Sequence, residues 1–498
     1  MGRAGPAATA VVLAVACLHG ASSAHADIDL GEQGRPIATS NYTIDLYEGP
    51  VLAGARIVGL GGAYVPLAQG VSGYAINPAA VALRVPWSVD WFDWELDGGF
   101  TLPSSITGFD FDNSGDSGFT DSAAFFATGG GGLQFGPVGV GVYLDLQQYR
   151  VGSLATDETD IDVNVVRAML VAGYSFFHGQ LALGLGLAGN QIGLSAPGED
   201  SALTDIANVA GFSGHLGVVW APAVLPVRVG ASLRLSPQAS FDESKPSGIE
   251  PDSEGNYISE GYYLPRTISL PSEVHVGVAW QLFRPLNFYW LNPRADRWSA
   301  ENIAKRDVAA ARKLRADLRR SALEGAAVAG EDGGALEERL DALEEGARQA
   351  EDDVLDRARE VDRLRRKHPY KSMPRENLLL TTELKVTTIT TNGVGLESFL
   401  RQEVARSGED VAWSPRLGVE SEVWPRYLVL RGGTYYEPTR FRAPASARVH
   451  GTGGLDIRIP VAWSVFGLFD DDNTFRVGGA VDFSARYFGW GLSTGVWR

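Results

Sequence analysis

The 498-residue chain has one cysteine, three methionines and seven histidines. Past the first thirty residues it has no run of about 18 apolar residues, which excludes transmembrane helices. Strands remain open, because a transmembrane strand alternates its two faces and keeps its mean hydropathy low; here that mean is −0.05. The cysteine, Cys17, lies in the N-terminal apolar segment, so a chain cleaved beyond it has no disulfide, no thiol chemistry and no Cys-metal site. No histidine pair has the spacing of a zinc helix, and neither a metal nor a cofactor is expected. Basic residues are short as well: 43 Lys and Arg stand against 60 Asp and Glu, a net charge of −17. Such a surface offers no basic face for phosphates, so nucleic acid is excluded as a partner.

Catalytic patterns occur only in the wrong context. Gly491-Leu492-Ser493-Thr494-Gly495 matches G-x-S-x-G, but a nucleophile elbow needs a strand-to-helix turn and this stretch reads as a last strand. Gly184 to Gly189 matches G-x-G-x-x-G within a leucine-alternating strand that opens no helix. No catalytic residue is assigned, and the chain is not expected to be an enzyme.

What is abundant is glycine, at 60 residues, within short apolar runs of period two. Val138, Val140, Val142, Leu144 and Leu146 alternate with Gly139, Gly141, Tyr143, Asp145 and Gln147. Leu181, Leu183, Leu185 and Leu187 alternate with Ala182, Gly184, Gly186 and Ala188. Val274 to Trp280 and Leu455 to Val461 repeat the pattern. One face is aliphatic and the other small or charged, the apolar-out, polar-in signature of a transmembrane barrel. Candidate strands fall at 86–97, 120–135, 137–150, 161–177, 180–195, 211–222, 225–236, 271–283, 377–392, 413–424, 426–437, 448–462, 473–483 and 486–497. Fourteen is an even number, as single-chain bacterial barrels require. Tight turns at Gly136, His178-Gly179, Ala223-Val224 and Pro425 alternate with longer loops at 98–119, 151–160, 196–210, 237–270, 393–412 and 438–447. The acidic 237–270 loop reads as solvated and mobile. Trp87, Trp91, Trp220, Trp280, Trp413, Trp424, Trp463 and Trp497 sit near strand ends, where interfacial aromatics belong.

The ends and the middle break the period. Residues 1–26 read as a signal peptide, with Arg3, an apolar core from Ala7 to Leu18, and cleavage after Ala26 in Ala24-His25-Ala26. A lipoprotein site at Ala14-Val15-Ala16-Cys17 is the alternative. Residues 298–367 carry helical spacing (Leu336, Leu340, Leu343, Ala347) and predict two helices of about 26 and 34 residues, an antiparallel coiled coil joined at Gly325–Gly334 and roughly 40 and 50 Å long. Pro369 and Pro374 predict the return to strand. Strand parity puts this hairpin on the side of the chain termini, the periplasm, where it meets a periplasmic partner or is a plain insertion.

Residues 27–85 precede the barrel. They contain Gly54-Ala55-Arg56-Ile57-Val58-Gly59-Leu60-Gly61-Gly62-Ala63-Tyr64-Val65 and Asn77-Pro78-Ala79-Ala80. Gly59, Gly61 and Gly62 permit close backbone approach, and Asn77 before Pro78 favours a turn. This Gly-rich stretch followed by Asn-Pro-Ala resembles the N-terminal hatch of the long-chain fatty-acid transporter superfamily of outer-membrane barrels, the FadL type. Leu270-Pro271 and Val276 to Ala279, with Arg431 to Pro438, add weaker likeness. The hairpin and the C-terminal Trp497-Arg498 depart from the family.

The resemblance implies an all-β membrane protein: a fourteen-stranded antiparallel barrel with the hatch, including Gly59, Gly61, Gly62, Asn77, Pro78 and Ala79, inside its lumen. It implies a Gram-negative outer-membrane location and passive uptake of hydrophobic compounds such as long-chain fatty acids. Outer-membrane lipid and a hydrophobic ligand are then the partners. The expected organisation is signal 1–26, hatch 27–85, strands one to eight over 86–283, hairpin insertion 284–376 and strands nine to fourteen over 377–498. Asp145, Glu383, Lys385, Arg431, Asp456, Arg458 and Asp482 are expected to face the lumen, pairing to hold the hatch or meeting a carboxylate headgroup. The alternative function is a barrel scaffold or protein-secretion shuttle.

Overall fold

The computed structural model describes residues 30–47, 49–85, 88–104, 110–115, 119–151, 161–197, 203–237, 250–259, 262–329, 333–373, 377–442, 445–462 and 472–497. The signal segment, Trp87, Trp463 and the hairpin tip lie outside them, as does the side chain of Trp497.

Fourteen strands form one closed antiparallel barrel, each pairing with its sequence neighbours: β1 (Phe92–Ser104), β2 (Phe119–Phe135), β3 (Val138–Val151), β4 (Ile161–Phe176), β5 (Leu181–Pro197), β6 (Leu203–Trp220), β7 (Val227–Arg234), β8 (Glu273–Leu282), β9 (Leu378–Thr387), β10 (Ala412–Trp424), β11 (Leu428–Glu437), β12 (Arg448–Ala462), β13 (Asp472–Ser484) and β14 (Tyr487–Trp497). β14 closes on β1 from Phe488↔Ser104 to Trp497↔Glu95. Closure leaves no sheet edge without a partner strand, which a lipid environment demands. The outer face is the aliphatic one. Leu144, Leu170, Leu185, Leu187, Leu216 and Ile457 are all exposed there, and so broad an apolar belt belongs against hydrocarbon.

The two rims can be named from the chain. The start of β1 and the end of β14 share the terminal rim; the opposite one is the distal rim. Trp220, Trp280 and Trp424 project outward at the terminal rim and Trp413 at the distal rim.

Several boundaries differ from expectation. The first strand is 92–104, not 86–97, because Arg84 ties the preceding segment to the terminal rim, donating to the carbonyls of Asp90, Trp91 and Gly136. β6 starts at Leu203, inside the expected 196–210 loop, since Leu203 to Asn208 pair with β5. β9 ends at Thr387 rather than 392, where the chain leaves to pair with the N-terminal arm. The 237–270 loop is divided: Glu250 to Gly255 are exposed as expected, whereas Leu264, Ile268 and Leu270 are buried, and Thr267–Ser269 runs parallel to Thr43–Asp45.

A short helix α1 (Ala55–Gly59) lies within the barrel. The hairpin is α2 (Ala300–Ala329) and α3 (Gly333–Ser372), both longer than predicted. Gly325 and Gly334 lie within the helices, and residues 330–332 lie outside the described residues. α3 also runs past Pro369 to Ser372, so that proline does not mark the return to strand, and Pro374 lies outside the described residues. A further helix, α4 (Leu396–Arg401), lies in the distal loop between β9 and β10.

Candidate functional site

Residues 30–85 thread the lumen from the distal to the terminal rim. Thr43–Asp45 pairs in parallel with Thr267–Ser269 and Gly393–Val394, both in distal loops. Asp45 is buried there against Arg440 at 2.8 Å and accepts from Thr390 and Ser407. At the other end Arg84 grips the terminal turn at Gly136.

Between these anchors the hatch packs in two halves. Ile57, Val58, Leu60, Tyr64 and Leu67 lie with Ala279, Leu379, Tyr435 and Ala480 of the β8–β13 wall. Val71, Tyr74 and Ala79 to Leu83 lie with Tyr143, Met169, Val171, Ala182 and Val219 of the β3–β6 wall. The hatch touches the wall where the wall has no side chain. A Cβ on Gly184 would sit 2.2 Å from the Ala79 nitrogen, one on Gly139 1.9 Å from the Val81 oxygen, and one on Gly230 2.2 Å from the Val65 oxygen. The small face of the strands is therefore a seat cut to backbone contact.

The hatch residues singled out from sequence occupy tight positions. Gly61 (φ 61°) and Gly62 (φ 74°) take left-handed conformations, and a Cβ on Gly61 would lie 2.8 Å from the Thr434 nitrogen. Gly59 lies against Gly454, where a Cβ would be 3.1 Å from its Cα. Asn77 is buried and caps the 3-10 turn Pro78–Ala82 by accepting from the Ala79 amide at 3.1 Å. Its Nδ2 donates to the carbonyls of Val65 and Val218, both at 3.1 Å. One side chain thus joins the two halves of the hatch to β6. Asn77→Ala should cost about 1–2 kcal/mol from the lost cap and bonds. The expected readout is faster amide exchange over 78–83 with the barrel amides unchanged; equal loss across the barrel would refute this local role.

The predicted lumen residues lie inside and mostly in pairs. Arg431 bridges Glu420 at 2.6 Å and Asp456 at 2.5 Å, and Glu420 also takes Arg56 of the hatch at 2.9 Å. Glu383 accepts from the amides of Tyr64 and Val65 at 2.8 and 2.7 Å and meets His275 at 2.7 Å. Lys385 pairs with Glu273 at 2.7 Å, which also takes Arg234. Asp145 pairs with Arg167 at 3.0 Å. Asp482 meets His450 at 2.8 Å and the Tyr435 hydroxyl at 2.6 Å. Arg458 reaches Glu422 only at 3.7 Å. Sequence reasoning passed over Arg56, Glu273, His275, Arg416, Glu420, Glu437 and His450. A signal existed: the strand residues among them lie in phase with the small face, and Arg56 is the lone charge of an apolar stretch.

On β3–β6 the phase of the alternation inverts toward the distal rim. Lower down, Leu144, Leu146, Leu170 and Leu187 face outward, with Asp145, Gln147, Arg167 and Ala188 inward. Higher up Gln148, Asn164, Gln191 and Asn208 take the outer face, while Tyr149, Val151, Ile161, Val163, Val165, Ile192, Leu194 and Val209 are buried inside. This makes a cup, polar without and apolar within. The arm (Leu30, Ile37, Ile44) and the distal loops (Leu264, Phe399) fill it. At its edge, burial and then neighbouring Asp110 push Asp112 up to about 7.

G-x-S-x-G over Gly491–Gly495 is strand throughout, and so is Gly184–Gly189.

No family model matches the chain, and no curated protein matches it in sequence. Among solved structures it is similar to the CymD monoaromatic hydrocarbon channel, at 10% identity and a TM-score of 0.44, over 90% of this chain and 97% of that one. It is similar to a Pseudomonas aeruginosa FadL homologue at 11% identity and a TM-score of 0.42, over 93% and 99%. A TodX monoaromatic hydrocarbon channel mutant stands at 10% identity and a TM-score of 0.43, over 89% and 98%.

Proposed function

We propose that the chain is a bacterial outer-membrane channel for passive uptake of hydrophobic compounds, with long-chain fatty acids as the cargo class. The observation behind this reading is the inverted alternation on β3–β6. A mouth for polar solutes needs polar inner walls, since a buried apolar lining gives them no hydrogen bonds. An apolar cup with a polar rim instead collects apolar solute from water, gaining about 25 cal/mol for each Å² buried. A solute enters by replacing the arm and loop side chains that fill the cup. In this reading residues 1–26 are removed, 27–85 form the plug, and the terminal rim with the hairpin faces the periplasm. The lumen charges at Asp145, Glu383, Lys385, Arg431, Asp456, Arg458 and Asp482 hold the plug in place.

The test is uptake of radiolabelled oleate by cells producing the protein. Val163→Asp with Ile192→Asn should lower the initial rate by about tenfold, because each polar group buried without a partner costs at least about 1 kcal/mol. Surface amounts of the protein should stay equal. Uptake that is the same in producing and deleted cells would refute transport. The scaffold reading is favoured by the paired charges filling the β8–β13 side, and it predicts that deletion result together with a protein captured by the hairpin.

A further inference from the structure

A second site lies at the opposite end from the cup. A cavity of about 710 Å³ opens between the end of the hatch (Arg84, Val89), the segment after β8 (Tyr289, Trp290, Leu291) and the base of α3 (Leu364, Arg365, Arg366, His368). Its size falls within the ~300–1,000 Å³ range of clefts that enclose small ligands. Its walls are largely aromatic and aliphatic, with Arg84, Arg365 and Arg366 among the lining residues.

The electrostatics are lopsided in an otherwise acidic chain. Two carboxylates, Asp296 and Asp362, line the cavity, and both are engaged at the start of the hairpin. Asp362 accepts from the Ala300 and Glu301 amides at 2.9 and 2.8 Å, and Asp296 accepts from the Trp298 amide at 3.0 Å. The cations are less well served. Arg84 spends its two terminal nitrogens on Ser88 and on backbone carbonyls, and stacks on Trp290 with its guanidinium carbon 4.6 Å from the ring centroid. Arg366 reaches Asp90 only at 3.5 Å. Arg365 is exposed and makes no ion pair among the described residues. Three buried donors in these walls, Nε of Arg84, Nε of Arg366 and Nε1 of Trp290, have no acceptor among the described residues. Buried polar atoms are rarely left so. Burial lowers the Arg84 guanidinium to about 10, against the opposite pull of Asp93 and Asp90. The cavity is short of acceptors and of negative charge, while its apolar wall is already in place.

We infer that this cavity under the hairpin binds an amphiphile with an apolar tail and a single anionic headgroup, the tail against Tyr289, Leu291 and Leu364 and the headgroup beside Arg84, Arg365 and Arg366. Guanidinium groups suit a carboxylate or a phosphodiester through paired N–H donors. The occupant is then either cargo leaving the barrel or an anionic phospholipid of the surrounding leaflet. As an exit site it rests on the uptake reading; as a binding site it stands without it.

The experiment uses the purified full chain in nanodiscs and palmitate carrying a diazirine in its tail. After illumination, adducts are expected in peptides covering 288–296 and 362–368. Excess palmitate should compete; hexadecanol, with the same tail and no charge, should not. Arg84→Gln also loosens the hatch, so Arg365→Gln is the informative variant. It should weaken labelling about tenfold, the loss of one charge-assisted contact, without changing heat stability. Nanodiscs containing phosphatidylglycerol separate the two sources. If that lipid displaces the probe, the membrane supplies the natural occupant; if it does not, the cargo does. Absence of adducts at these peptides, or labelling indifferent to Arg365→Gln and competed equally by hexadecanol, would overturn the site. Labelling here with uptake unchanged by deletion keeps the site and removes transport. Missing labelling with intact uptake removes the site alone.

Discussion

Gly184→Val should unseat the hatch and turn a plugged barrel into a conducting one. The new Cβ would lie 2.2 Å from the Ala79 nitrogen and the Pro78 carbonyl carbon. Both are backbone atoms of the 3-10 turn that Asn77 caps, so no side-chain rotation relieves the clash. The wall cannot retreat either, since β5 is bonded on both sides, Gly184 opposite Gly173 and Gly217. Overpacking of this kind costs about 1–3 kcal/mol in cores that can adjust, and more against fixed backbone. Every 1.4 kcal/mol is about tenfold in the seated-to-displaced ratio. Planar-bilayer recording should show frequent openings for the variant and rare ones for the parent. Gly193→Val is the control: its Cβ would meet nothing closer than 4.0 Å. A closed Gly184→Val barrel with parental heat stability would disprove the seat.

The second large effect is expected at Glu383. Its carboxylate takes the Tyr64 and Val65 amides, His275 and, at 3.7 Å, Arg416. Glu383→Ala removes the only side-chain acceptor among the described residues for those two hatch amides and leaves a buried guanidinium and imidazole beside an empty place. Breaking a buried charged cluster from one side typically costs about 3–5 kcal/mol, because the remaining charges stay desolvated. The folded band on a detergent gel should convert to the unfolded one at a clearly lower temperature. Adding His275→Ala should recover part of the loss, since fewer polar groups then lie buried without partners. A double variant weaker than the sum of the two singles would contradict that coupling.

Both expectations concern contacts that period-two reading could not supply. Gly184 was visible as a small residue on the inner face, and Glu383 as a charge in phase with it. Neither position says what lies opposite. Gly184 reads as an ordinary strand glycine until the hatch is seen 2.2 Å from its missing Cβ. The inversion on β3–β6 was also written in the chain, in Val163 and Val165 beside Asn164 and in Ile192 and Leu194 beside Gln191. Reading aliphatic residues as outward all along each strand misses it. The 264–270 stretch misled for a related reason: the polar composition around it hid Leu264, Ile268 and Leu270, which pack with the N-terminal arm and the other distal loops.

The sequence by itself determined the barrel, its fourteen strands and the inner or outer face of most residues. That information is local: a strand turns each successive side chain to the opposite face, so phase follows from neighbours two apart. Tertiary structure alone decided the register that brings Arg431 between Glu420 and Asp456, the path of the hatch from distal to terminal rim, and the cavity beneath α3. The path and the cavity depend on contacts hundreds of residues apart, such as Arg440 with Asp45. Many partners of the right charge exist along the chain, and only closure of the barrel around its plug selects among them.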